Sequence, residues 1–330
     1  MKLRVLTQAD VKQAISMPQA IEAVKRAFAQ LSAGRANVPL RTQLAVPKHN
    51  GVAIFMPAYL EETDSMAVKI VSVFPGNVDM GLPTIHALVI VVDTATGQPI
   101  AAMDATYLTA LRTGAASGVA TDLLARRDAS RVAIFGTGTQ GRTQLQGVCE
   151  VRDITRVWVY DRVRHRAEQY AAEMKCRGGR IPADIIVADS PAEAVAEADI
   201  ICTATTSTTP VFSDAHLKPG VHINGIGSYN PQMQEVDEAT VARAKIVVDS
   251  RLACLAETGD LVIPISKGLI SEKDVHAELG EIILGWKPGR EKEDEVTFFK
   301  SVGNAVQDVA VAQVALSVAD ERGLGIQVEL

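Results

Sequence analysis

The sequence predicts an α/β protein in which a doubly wound parallel sheet is inserted into an α+β domain with a mostly antiparallel sheet. Three observations carry this. Five strand-like segments follow one another between residues 40 and 104 with no helical pattern among them. Beyond residue 131, strand-like and helix-like segments alternate instead, as a parallel sheet with crossover helices requires. A last helical pattern, after the alternating region, gives the chain a route back to the first domain. The expected division is 1–116 plus 305–330 for one domain and 117–304 for the other. The length of 330 residues suits two domains of about 150 each.

The first helix opens at Ser16-Met-Pro-Gln19, where a cap serine stands three residues before a glutamine and proline occupies the first turn. Ala20, Ile21, Val24, Phe28 and Leu31 share one helical face, and Gly34 supplies the stop. Strands are expected at 40–46, 52–56, 66–74, 84–93 and 100–104. Turn-forming runs such as His49-Asn-Gly51, Pro75-Gly-Asn77 and Thr94-Ala-Thr-Gly97 separate them. Such a succession predicts an antiparallel sheet or a small barrel. A helix at about 107–127 bridges into the second domain. Within that domain, Ser190-Pro-Ala-Glu193 opens a short helix, and strands are expected at 199–204, 221–226 and 245–248. The final helix, 303–319, repeats apolar residues at Val306, Val309, Ala310, Val314 and Leu316.

The most specific chemistry lies at 131–145. The apolar strand Val132-Ala-Ile-Phe135 runs into Gly136-x-Gly138-x-x-Gly141, and a helical pattern follows at Leu145, Val148 and Cys149. This order suits a dinucleotide pyrophosphate. The first glycine makes the turn, the second admits the phosphates, and the third lets helix pack on strand, with the phosphates at the positive helix end. Residues 154–160 alternate as a second strand. Asp161 ends it, 20 residues after Gly141, where an acid binds the adenosine ribose hydroxyls. The same letters spell Gly136-x-x-x-x-Gly141-Arg142-Thr143, but a P-loop requires lysine where Arg142 stands. The domain is therefore read as a Rossmann domain. Asp161 repels a 2′-phosphate and favours NAD, whereas Arg162 and Arg164 beside it suit NADP; NAD is the expected cofactor and NADP the alternative.

Composition excludes several classes. A net charge of −6 gives no support for nucleic-acid binding. No run approaches the ~18 apolar residues of a membrane span. The N-terminus turns polar too early for a signal peptide. Cys149, Cys176, Cys202 and Cys254 form no C-x-x-C pair, so a reduced, cytoplasmic protein is expected. The six histidines show no metal-ligand spacing, so no metal is expected.

Three cations stand out. Lys69 is the only charge in Met66-Ala-Val-Lys-Ile-Val-Ser-Val-Phe74. Pattern alone allows a strand-edge lysine reaching water, or an amine held in a cleft to meet a carboxylate or imine. Arg112, in Leu111-Arg-Thr-Gly114, fits either a structural ion pair or a fork onto a substrate carboxylate. Arg41 begins a strand and is the weakest of the three.

These residues sit in segments that resemble the ornithine cyclodeaminase, archaeal-type alanine dehydrogenase and μ-crystallin family over nearly the whole chain. The segments are Asn50-Gly-Val-Ala-Ile-Phe-Met-Pro57, Ala67-Val-Lys-Ile-Val71, Thr109-Ala-Leu-Arg-Thr-Gly114, the glycine loop, Asn224-Gly-Ile-Gly227 and Phe299-Lys-Ser-Val-Gly-Asn-Ala-Val-Gln-Asp308. The resemblance implies a homodimer formed through the substrate domain, with the active site in the cleft between domains. It implies that Arg41, Lys69 and Arg112 surround the carboxylate of a small amino or imino acid. The implied cofactor contacts are Thr84, Arg112, Thr113, Thr137, Gly138, Thr139, Gln140, Asp161, Thr203, Ala204, Thr205, Ile226, Gly227, Ser301 and Val302. Gly136, Gly141 and Arg162 join them from the motif itself.

Two departures distinguish members of the family. Ornithine cyclodeaminases carry a glutamate where this chain has Ile54, and an aspartate where it has Tyr229. Loops reading Gly-Ser-Tyr resemble those of imine reductases acting on Δ1-pyrroline-2-carboxylate or Δ1-piperideine-2-carboxylate. The expected reaction is hydride transfer between a nicotinamide and the Cα–N bond of a small α-imino or α-amino acid. Arg41 and Arg112 would hold the carboxylate and Lys69 would exchange the proton. Tyr229 and His86 are either helpers or packing and rim residues. Ornithine cyclodeaminase activity and a non-catalytic ligand-binding role of the μ-crystallin type are the alternatives.

Overall fold

The computed structural model describes all 330 residues. The chain divides into two compact units, Met1–Arg112 with Asn304–Leu330 and Thr113–Gly303. The first division falls inside the helix Thr106–Leu124, at Arg112/Thr113 rather than at 116/117. No helix is long and apolar enough to cross a membrane.

In the first unit, strands β1 (Lys2–Leu6), β2 (Ala36–Asn37), β3 (Thr42–Val46), β4 (Gly51–Leu60), β5 (Ser65–Val73), β6 (Ile85–Val92) and β7 (Pro99–Asp104) form one sheet with the final strand Ile326–Glu329. The order is final strand-β1-β7-β6-β5-β4-β2, with β3 also on β4. Every pairing is antiparallel except β1 with β7, and the linear order rules out the small barrel. The strands β1, β2 and Ile326–Glu329 were not foreseen. They are short, and the pairing of β1 with Ile326–Glu329 joins the two chain ends, a contact no local pattern contains.

Helix Met17–Ser32 starts where the capping box places it: Gln19 Oε1 accepts from the Ser16 amide at 3.0 Å. Gly34 adopts a φ of +70°, beyond the last turn. The long helix Ala305–Arg322, capped by Asn304, packs on β4, β5 and Met17–Ser32. In β5 the buried residues alternate as Ser65, Ala67 and Lys69, so Lys69 belongs to the helix-covered face with Met56 and Val89 opposite it. The strand-edge reading of Lys69 therefore fails.

The second unit holds β8 (Arg131–Phe135), β9 (Arg156–Tyr160), β10 (Ile185–Val187), β11 (Ile200–Thr203), β12 (His222–Gly225), β13 (Lys245–Val248), β14 (Val275–Glu278) and β15 (Thr297–Lys300). They pair in parallel throughout, in the order β10-β9-β8-β11-β12-β15-β13-β14. Val132 and Ile134 enter one core cluster while Ala133 and Phe135 enter the other, so both sheet faces are covered. β10, β14 and β15 were not read from sequence. Each has only three or four residues, and β15 wedges between β12 and β13, far from both in the chain.

Candidate active site

In the parallel sheet the chain runs from β8 outward to β9 and β10, then returns to β11 on the other side of β8. Such a reversal opens a crevice at the carboxyl ends of the strands. One register row crosses that edge: Tyr160, Phe135, Thr203, Gly225 and Lys300 are successive partners on β9, β8, β11, β12 and β15. The residues that follow them are Asp161, Gly136, Ala204, Ile226 and Ser301, so a single row brings together five expected cofactor contacts. Gly136, Thr137, Gly138, Asp161, Arg162, Ala204 and Thr205 line one cavity of about 480 Å³.

Each glycine has a separate reason. Gly136 adopts a φ of +92°, and a Cβ there would lie 2.4 Å from the Ala204 carbonyl oxygen. A Cβ on Gly141 would lie 2.1 Å from the Gly136 oxygen, so this glycine lets helix meet turn. Gly138 is the opposite case. It is the N-cap of helix Thr139–Val151, a Cβ on it would meet nothing within 4 Å, and no side chain caps the helix amides. Open space above uncapped helical N–H groups is what a pyrophosphate requires, so these residues fit a dinucleotide.

Asp161 is held in place: its Oδ2 accepts from the Thr137 amide at 3.3 Å and hydroxyl at 2.7 Å, and its Oδ1 from the Val163 amide at 2.9 Å. Of the two arginines expected beside it, only Arg162 lines the cavity. Arg164 is drawn away to Glu168 (3.1 Å) and Asp189, and Arg166 takes its place. Thr113 and Thr203 are buried, Thr139 and Gln140 open the helix, and Gly227 follows Ile226 at the β12 exit. The Ser301 hydroxyl and Val302 amide donate to Asp249 Oδ2 at 2.7 and 3.1 Å.

Thr84 and Arg112 belong to the first unit, with Lys69 and Arg41. Lys69 Nζ lies 2.7 Å from Asp308 Oδ2, and Arg112 Nε lies 3.2 Å from Asp308 Oδ1. Arg112 also donates to Gln307 Oε1, which accepts from the Asn304 amide. Lys69, Arg112 and Asp308 are only 3%, 6% and 1% exposed, so this group of charges is removed from bulk water. Burial pushes the Lys69 ammonium down from the ordinary lysine value to about 8; Asp308 pulls it up, while Arg112 and Arg41 push it lower. Two cations, Lys69 and Arg112, share the one carboxylate of Asp308, which leaves this group net positive, a setting for an anionic substrate group. Ile54 lies on the same sheet face, two pairs along from Met56–Lys69, and adds no acid there. Tyr229 is 57% exposed, and His86 is also exposed.

Asp308 and Gln307, which contact these cations, were not among the expected residues. The signal existed: Asp308 is the only charge between Gly303 and Ala319, the same lone-charge pattern that marked Lys69. Asp249 has no such signature.

Residues 1–322 match the Ornithine cyclodeaminase/mu-crystallin family. The chain belongs to this family. It is 42% identical to a Δ1-pyrroline-2-carboxylate reductase of Bacillus cereus over 326 residues, 98% of this chain and 99% of the relative. Among solved structures, that of the Thermococcus litoralis Δ1-pyrroline-2-carboxylate reductase in complex with NADH and L-proline is similar with a TM-score of 0.94. It is 45% identical, covering 98% of this chain and all of that one. An archaeal alanine dehydrogenase dimer with bound NAD gives a TM-score of 0.93 at 38% identity, with both chains fully covered.

Proposed function

We propose that this protein is an NAD-dependent oxidoreductase that reduces the C=N bond of a small cyclic α-imino acid, Δ1-pyrroline-2-carboxylate or Δ1-piperideine-2-carboxylate. The observation that carries the reading is the buried Lys69–Asp308–Arg112 cluster, cationic and without an acid at Ile54, in a chain that also holds a dinucleotide crevice. Family members with NADH or NAD bound support the same cofactor.

Gly136, Gly138, Gly141 and the first turn of helix Thr139–Val151 would hold the pyrophosphate, and Asp161 the adenosine ribose. Bound there in its reduced form, the nicotinamide would supply the hydride that Cα needs to give the cyclic amino acid. Arg112 and Arg41 fix the substrate carboxylate by charge-assisted hydrogen bonds, which orients Cα. Asp308 orients both Lys69 and Arg112 and compensates part of their charge. Lys69, charged at neutral pH yet acidified by burial, would give its proton to the imine nitrogen, directly or through water.

We also propose a homodimer. Seven large apolar side chains between Leu40 and Leu88 are exposed on and around β3 and β6, among them Leu44, Val78, Met80 and Ile85. An apolar surface of this kind suits a second copy of the chain, and a relative is described as a dimer. Four unpaired cysteines, three of them buried, support a reducing, cytoplasmic setting.

The test is NADH oxidation with each cyclic imine and with pyruvate plus ammonia, beside NAD-dependent proline release from ornithine. Turnover of a cyclic imine is expected. Proline release alone would establish a cyclodeaminase, and no turnover with any of them would leave only ligand binding.

A further inference from the structure

Glu235 lies outside every motif used so far. It is fully buried in the segment after β12. Its Oε1 accepts from the Thr205 amide at 2.6 Å and the Thr205 hydroxyl at 2.7 Å. Its Oε2 accepts from the Thr203 hydroxyl at 2.9 Å, the Gly227 amide at 2.6 Å and the Ser228 amide at 3.2 Å. Thr203 to Thr205 leave β11, and Gly227 and Ser228 leave β12, so one carboxylate ties the exits of two neighbouring strands.

The packing above it leaves no slack. A Cβ on Gly227 would fall 2.1 Å from the Thr205 oxygen and 2.5 Å from Glu235 Oε1. One on Gly136 would fall 2.4 Å from the Ala204 oxygen. The glycine turn, the β11 exit and the β12 exit are thus packed in series, with Glu235 bonded beneath the last two. Asp260 supports it in turn: its Oδ1 accepts from the Glu235 and Val236 amides at 2.7 and 3.0 Å, and its Oδ2 pairs with the fully buried Lys300 at 3.1 Å. Burial and Asp260 push the Glu235 carboxyl up, and Lys300 opposes them. Five donors and no acceptor face its oxygens, the surroundings of an ionised carboxylate. A buried charge persists only when so compensated, and here all five donors come from cofactor-flanking segments.

We infer that Glu235 is a positioning residue for the dinucleotide, holding the β11 and β12 exits in the arrangement that orients the cofactor for hydride transfer. This role rests on the NADH-dependent reading. Glu235→Gln tests it, because glutamine offers one acceptor oxygen and turns an NH₂ group toward backbone donors. In the full-length enzyme, NADH affinity is read by fluorescence titration, turnover with Δ1-pyrroline-2-carboxylate, and the isotope effect with NADH deuterated at the transferred position. The expected result is a rise of roughly tenfold to a hundredfold in KM for NADH, the factor of one charge-assisted hydrogen bond lost. KM for the imino acid stays within about twofold, because only the nucleotide's arrangement changes. The isotope effect grows as hydride transfer becomes limiting. A variant with lower kcat but unchanged KM and isotope effect has merely lost folded protein, and that outcome overturns the inference, as does wild-type behaviour throughout. Should Glu235→Gln not fold, Thr205→Val, which removes one hydroxyl donor and keeps the shape, must raise KM for NADH several-fold or the role is refuted. Wild-type enzyme that binds no NADH would instead defeat the nucleotide reading, and this role with it.

Discussion

Asp308→Asn separates a proton-donating Lys69 from a merely structural one. In the wild type, Lys69 Nζ lies 2.7 Å from Asp308 Oδ2, and its pKa is depressed to about 8 with Asp308 the main force opposing the depression. At an effective dielectric of about 20, two unit charges at that distance attract by about 6 kcal/mol. One pKa unit corresponds to about 1.4 kcal/mol, so even a quarter of this attraction moves the amine by about one unit. Removing the negative charge lowers the Lys69 pKa further, because desolvation and the two arginines then act unopposed. The sign follows from the chemistry: the ammonium is the donor, so activity is present below the pKa and lost as pH rises through it. Wild-type kcat/KM for the imino acid should break near pH 8, and the variant's break should fall at pH 7 or below. At pH 8.5 the variant then retains roughly an eighth of the wild-type protonated fraction, whereas at pH 6 both are almost fully protonated. The assay is NADH oxidation across pH 5.5 to 9.5, with urea unfolding alongside, where loss of a buried partner is expected to cost about 3–5 kcal/mol. Superimposable pH profiles in a folded variant would refute the assignment of the proton to Lys69.

Three further outcomes are expected. Lys69→Met should lower kcat/KM by at least about a hundredfold, the usual contribution of a general acid, while NADH affinity measured by fluorescence stays near wild type. Asp161→Ser should raise kcat/KM for NADPH by roughly tenfold, since it removes the charge that repels a 2′-phosphate while Arg162 and Arg166 remain in the cavity; an unchanged NADPH/NADH ratio would show that Asp161 does not discriminate. Leu44→Asp combined with Met80→Asp places two charges on the exposed apolar surface and should shift sedimentation from dimer toward monomer; an unshifted dimer would place the interface elsewhere.

The nucleotide crevice was legible because its physics is local. A turn that only glycine can make, a helix start without a capping side chain, and an acid at the next strand end all fall within Val132 to Asp161. Lys69 and Arg112 were legible as lone charges in apolar surroundings, although pattern alone left their partners open. Short buried strands such as β15 carry no alternation, because both faces of a parallel sheet are covered. The sequence by itself determined the fold class and the dinucleotide turn, since each depends on residue type at a local spacing, while the family resemblance marked Ile54 and Tyr229 as standing where cyclodeaminases carry acids. Only the tertiary structure decided what these residues face. Helix Ala305–Arg322 lies on β5, and this brings Asp308 to Lys69 and Arg112 from opposite ends of the chain. Parallel pairing likewise gathers five strand ends and lets Glu235 bond two of them, because hydrogen bonds and ion pairs act over a few ångströms of space whatever the separation in sequence.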